Sequence, residues 1–174
     1  MTDKEMSSVL ADIEIIVDTR EKKNQHILDY FRDNKIPYVV SKLNTADYSF
    51  SLPHFPELGL DRRFLVEKKN SLTEIAGNFS KDRARFAREF ERIGSEHIHL
   101  VIEEATWKKV ANKSWRSEFS SNAMMASILT WSIRYNCPIW FCGVTESPKL
   151  IYNILRYELF EYLKNMQKVL DNPL

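Results

Sequence analysis

Only two cysteines, Cys137 and Cys142, occur in the 174 residues. With no other Cys and no close His beside them they cannot supply the four ligands of a structural zinc site, and buried free thiols are the expected state. No apolar run approaches the roughly 18 residues that a membrane-spanning helix needs. The opening, Met1-Thr2-Asp3-Lys4-Glu5, is too polar for a signal or transit peptide, so a cytoplasmic protein is expected. Internal repeats, low-complexity tracts and linkers are missing as well. What remains is a chain of one-domain length, long enough to bury a core.

The net charge is only +1, but it hides a local excess. Between Arg62 and Arg92 there are nine bases against five acids, a footprint suited to a polyanion.

Residues 1–11 read as a flexible polar arm, with one domain over 12–174. Ile13 to Val17 is an apolar strand that ends in Asp18-Thr19-Arg20-Glu21, three charged groups at a strand's carboxyl end. A helix is expected from Asn24 to Asn34, stopped by Pro37. Short strands follow at Tyr38–Val40, Asp47–Ser51 and Phe64–Lys69, which together read as a meander. Ser71 caps a helix through Gly77, and Lys81–Ile93 forms a second one with Phe86, Phe90 and Ile93 on its inner face.

His97 to Ile102 alternates into a strand ending at Glu103-Glu104. A metal site there is disfavoured, because the histidines lie at one end and the acids at the other. Trp107–Phe119 reads as a surface loop with Lys108, Lys109, Lys113 and Arg116. Asn122–Tyr135 is expected as a helix with Met124, Ile128, Trp131 and Ile133 inward, and Pro138–Phe141 as a buried strand. Ser147-Pro148 opens a final helix to about Leu170. Its apolar stripe is broad enough to suggest a homodimer or hetero-partner surface through Ile151, Leu155 and Tyr162. The fold class is therefore α/β, a central mixed sheet flanked by helices.

The chemistry gathers around Phe64-Leu65-Val66-Glu67-Lys68-Lys69. On a strand Glu67 and Lys69 share one face and Lys68 points to the other. A hairpin through the turn-rich segment 52–61 brings Asp47 beside them. Two carboxylates and an amine in this pattern suit phosphodiester hydrolysis. The acids hold a divalent ion, usually Mg²⁺ with Mn²⁺ as substitute, while the lysine orients water or meets developing charge.

Val17-Asp18-Thr19-Arg20-Glu21, Ala46-Asp47-Tyr48 and Val66-Glu67-Lys68-Lys69, followed by a basic helix, resemble in order and spacing the nuclease domain of the XPF-type structure-specific endonucleases, a branch of the PD-(D/E)xK superfamily. The passage from Ile133 to Phe141 resembles that family's closing helix-to-strand segment, so the likeness covers roughly residues 13–163. It implies a restriction-endonuclease-like fold, with Asp18, Asp47 and Glu67 as metal ligands and Lys69 as catalytic base or water-positioning group. Arg20, Glu21 and Glu74 would support them.

Three departures stand out. Ala46 replaces the family's usual Gly, and Lys68 replaces an Arg. Thr73 stands where a carboxylate is usual, with Glu74 one residue later.

The resemblance further implies a Mg²⁺-dependent endonuclease acting on DNA, at branched, flap or junction structures. Members of that family commonly carry a tandem helix-hairpin-helix module after the nuclease domain, and a compact standalone form lacking it is expected here as a further departure. Phosphate contacts are then expected from Lys68, Lys81, Arg83, Arg85 and Arg88. The alternatives are a non-catalytic DNA-binding or scaffold subunit and another branch of the superfamily.

Overall fold

Strand β1 (Glu14–Val17) supplies two of its apolar side chains to one layer of helices. Around it the chain builds a six-stranded mixed sheet, seen in a computed structural model that describes residues 2–94 and 97–171. The other elements in chain order are helix α1 (Asp3–Ala11), which precedes β1, then α2 (Gln25–Asp33), β2 (Tyr38–Val40), β3 (Tyr48–Ser51) and β4 (Phe64–Lys69). These are followed by α3 (Leu72–Phe79), α4 (Arg83–Ile93), β5 (His97–Glu103), α5 (Trp107–Ala111), α6 (Ser121–Arg134), β6 (Ile139–Cys142) and α7 (Ser147–Asp171). The sheet order is β2-β1-β3-β4-β5-β6.

The expected meander is corrected by this order. Strand β2 pairs parallel to β1 on its outer side, reached through α2, while β3 inserts antiparallel between β1 and β4. Strands β4, β5 and β6 run parallel, joined by helical crossovers. Each face of the sheet is covered. Met6, Leu10, Ile27, Phe31, Ile151, Leu155 and Leu159 from α1, α2 and α7 pack on one face with Ile15, Val17, Phe50 and Val66. Leu72, Phe79, Phe86, Phe90, Met124 and Trp131 from α3, α4 and α6 pack on the other with Leu65, Leu100 and Ile102. Burial on both sides explains why β4 and β5 read as nearly unbroken apolar runs.

Several expectations need correction. Residues 3–11 form a helix, opened by a Thr2/Glu5 capping box and anchored by buried Met6 and Leu10, where a flexible arm was expected. Two apolar residues at i and i+4 suffice to seat it beside α7. Within 107–119, α5 is capped by Thr106, and Val110 and Trp115 are buried. Ile133 is 81% exposed, because it lies nearly opposite Trp131 around α6. Strand β6 is an edge strand whose Trp140 is 40% exposed.

Ile151 and Leu155, expected at a subunit contact, are fully buried within the chain's own core. Helix α7 is wide in its apolar stripe because it spans α1, α2 and the sheet together. Tyr162 packs edge-on against Phe64. Both cysteines are free, and burial pushes their thiols up to about 12 for Cys137 and about 11 for Cys142. Among the described residues no helix is long and apolar enough to cross a membrane.

Candidate active site

The alternation of β4 divides its polar end between two environments. Leu65 belongs to the core under α3, α4 and α6, so Glu67 and Lys69 emerge on that side, whereas Phe64, Val66 and Lys68 face α2 and α7. Asp47 is delivered by backbone bonding. Its N–H donates to the Val66 carbonyl at 3.1 Å and its carbonyl accepts from the Asp18 N–H at 2.8 Å, which ties the ends of β1 and β4 across the start of β3. One of its carboxylate oxygens accepts from the Lys68 N–H at 2.8 Å. Just before it, Ala46 is held at φ +68°, the left-handed region that favours glycine.

Asp47, Glu67 and Lys69 share a cavity of about 250 Å³ with Arg20, Asn78 and Arg85. Lys69 Nζ donates to Glu67 Oε1 at 2.6 Å and lies 3.9 Å from Glu74. Burial raises the Asp47 carboxyl well above the ordinary carboxylate range, and the Glu67 charge adds to this; the Lys68 amide and the Lys69 ammonium oppose it. Burial likewise raises Glu67, against the pull of Lys69. For Lys69 itself, burial disfavours the charged form, but Glu67 and then Asp47 outweigh it, so the amine titrates above its usual value. It is an ammonium at neutral pH. Positioning water and meeting negative charge therefore suit it better than removing a proton.

Asp18, expected among the metal ligands, has both carboxylate oxygens engaged by the protein itself. One oxygen accepts from the Arg20 N–H and Nε, each at 2.7 Å; the other accepts from the Leu43 N–H at 2.6 Å and Arg20 Nη2 at 3.1 Å. Four bonds fill the four lone-pair sites of a carboxylate. Burial would raise its pKa, yet these bonds from Arg20 and Leu43 prevail and hold it below the usual range. The Asp18 side chain instead clamps Arg20 and the loop before Asp47. Arg20 Nη2 also donates to the Leu43 carbonyl at 2.9 Å, leaving Nη1 without a partner among the described residues.

Lys68 is the other displaced expectation. It is buried on the far face, where Nζ donates to Asn70 at 2.7 Å and the Lys23 carbonyl at 3.2 Å and lies 3.5 Å from Glu103 and 3.8 Å from Glu21. No phosphate can reach it. Glu103 is held in turn by His26 and Ser147. Glu21 therefore belongs to this buried network and sits behind the cavity. Glu74 accepts from the Asn70 N–H and side chain at 2.9 Å each, on a helix capped by Ser71. Thr73 turns the other way and accepts from the Arg116 N–H.

Of the expected phosphate contacts on α4 and before it, only Arg85 lines the cavity. Arg83 folds back onto α6, donating to the Phe79 carbonyl and Ser127 and lying over the Trp131 ring. Lys81 and Arg88 are exposed but off the stripe Arg85, Glu89, Arg92 that faces the cavity. Asn78 was missed by sequence reasoning. It is buried in the cavity wall with Oδ1 unpartnered among the described residues, and a polar side chain on an otherwise apolar helix face was its only signal.

Among the described residues no three His, Cys, Asp or Glu side chains gather as a metal-holding group. His97 and His99 pair instead with Glu158 of α7, at 3.2 and 2.6 Å. In the cavity, Asp47 and Glu67 each keep one oxygen without a hydrogen bond among the described residues. Two hard oxygen donors, with water completing the shell, suit Mg²⁺. A cation held there would offset the burial that raises both carboxyls.

A family model described as the ERCC4 domain matches residues 17–154. Two solved structures share the fold. XPF from Aeropyrum pernix superposes with a TM-score of 0.60 at 14% identity, over 83% of this chain and 61% of that one. XPF from Aeropyrum pernix in complex with DNA gives 0.61 at 14%, over 83% and 64%. This chain thus spans less than two thirds of either. Comparison with curated protein sequences gives no significant match.

Proposed function

The chain belongs to the ERCC4 domain family, and from that premise we propose that it is a metal-dependent DNA endonuclease hydrolysing phosphodiester bonds at branched, flap or junction structures. The observation that carries this reading is the convergence of Asp47, Glu67 and Lys69 in one cavity beside the free edge of Arg20. Asp47 and Glu67 would hold the ion. The chemistry supplied by Mg²⁺, or by Mn²⁺ in its place, would be Lewis-acid polarisation of a phosphate oxygen and a more acidic water. Lys69, fixed by Glu67, orients the attacking water and meets charge that grows on the phosphate. Arg20, clamped by Asp18, presents Nη1 to a non-bridging oxygen.

The presence of all these groups together favours catalysis over a purely binding or scaffold role. The test is cleavage of labelled flap, fork, junction, duplex and single-stranded DNA with Mg²⁺ or with chelator. Cutting confined to branched substrates with Mg²⁺, and lost in Glu67→Ala, is the expected result. Undiminished cutting by Glu67→Ala, or none on any substrate, overturns it.

A further inference from the structure

A second polar cavity of about 390 Å³ adjoins the first, and Asn44, Thr45, Arg92 and Ile93 line both. The two form one trench. It follows β4 on the α4 side, from Arg62 and Leu65 at the strand's beginning to Glu67 and Lys69 at its end. From Leu65 to Lys69 this is about 13 Å of extended chain at ~3.3 Å per residue.

The outer half of the trench is walled by Lys42, Arg62 and Arg92, three exposed cations from three separate segments. None of them has an ion pair or hydrogen-bonding partner for its side chain among the described residues. The other cations near the site are engaged: Lys69 by Glu67, Arg20 by Asp18 and Arg85 by Asp82 at 3.7 Å. Among the described residues a single carboxylate, Asp61, lines the same hollow. Like charges placed around one hollow repel one another, and an occupying anion removes that cost.

We propose that this outer trench binds the sugar–phosphate backbone of a duplex DNA strand on one side of the cleaved bond. Lys42, Arg62 and Arg92 contact consecutive phosphates. The inference rests on the nuclease reading and adds the path of the substrate. A duplex strand is favoured over looped-out single strand because, among the described residues, no aromatic side chain lines the outer half for bases to stack on. Contacts to phosphate alone hold the strand in register without reading its sequence.

The experiment measures binding by fluorescence anisotropy in chelator, across a salt series. The probes are a labelled flap-bearing duplex, a plain duplex and a single strand of equal length. Lys42→Ala, Arg62→Ala and Arg92→Ala should each reduce the slope of log K against log salt by about 0.9. Their combination should reduce it additively, similarly for unrelated sequences. Arg92→Lys should retain the slope. Arg83→Ala, whose guanidinium is held by Phe79 and Ser127, should leave it unchanged. Circular dichroism confirms that each variant is folded.

A triple variant with wild-type slope, in a protein that still cleaves DNA through Glu67, overturns the trench and leaves the nuclease reading intact. Tighter binding of the single strand than of either duplex overturns it too. A wild-type protein that neither binds nor cleaves any probe overturns both.

Discussion

Lys68 and Lys69 are adjacent in the chain and opposite in environment. Lys69 Nζ lies 2.6 Å from Glu67 in the cavity, while Lys68 Nζ lies 3.5 Å from Glu103 behind the sheet. The same substitution at the two positions should therefore fail in different ways. Lys68→Met removes the buried ammonium that faces Glu103 and Glu21 and should cost about 3 kcal/mol of stability. Lys69→Met should keep the fold and lower single-turnover cleavage by about 100-fold or more. Urea unfolding and rapid-quench assays on both variants measure the contrast.

The raised carboxyl of Asp47 makes stability depend on pH in an unusual direction. Burial and the Glu67 charge make the folded state bind this proton more tightly than the unfolded chain does. Stability from this group therefore falls as pH rises from the ordinary aspartate range through the raised folded value. Asp47→Asn removes the penalty, so its melting temperature should exceed that of the wild type at pH 7.5 and lose the advantage on acidification. Mg²⁺ at 100 times its Kd should stabilise the wild type by about 2.7 kcal/mol and do far less for the variant. Calorimetry at several pH values, with and without Mg²⁺, checks both.

Ala46 occupies φ +68° immediately before Asp47. A Cβ in the left-handed region costs about 1–2 kcal/mol, and glycine returns part of the gain as chain entropy. Ala46→Gly should stabilise the protein by about 0.5–1 kcal/mol. The midpoint of urea unfolding at unchanged m-value is the readout.

Asn78 keeps an unpartnered Oδ1 in the cavity wall. Asn78→Ala removes a buried acceptor that nothing among the described residues satisfies, so stability should change by less than about 1 kcal/mol. Because Asn78 lines the cavity with Glu67 and Lys69, its loss should lower kcat about tenfold, the equivalent of one hydrogen bond of about 1.4 kcal/mol. Cleavage under saturating DNA, compared with thermal melting, separates the two effects.

Periodicity located much of the fold. The short apolar runs of β4 and β5, and the i, i+4, i+7 spacing of Phe86, Phe90 and Ile93, are local signals that tertiary packing reinforced. The Ser71 and Thr106 caps show how differently such signals read. Ser71 precedes a helix with an apolar face and was legible. Thr106 precedes a five-residue turn whose burial depends on Val110 and the later Trp115, so it looked like loop. Helix α1 was hidden for a similar reason, since its two buried residues sit in an otherwise polar stretch.

Residue chemistry and spacing by themselves determined the α/β class, the strand carrying Glu67 and Lys69, and the pairing of that strand with the one after Asp47. These follow from alternation along single strands and from one hairpin. Which charges face the cavity was decided only by the tertiary structure. Asp18 became a clamp because the Leu43 N–H and the Arg20 fork close on it from 25 and two residues away, and Arg83 turned inward because α6 offers Ser127 and Trp131. Such partners come from elements distant in the chain. A buried charge is assigned by whoever compensates it, and no local pattern contains that information.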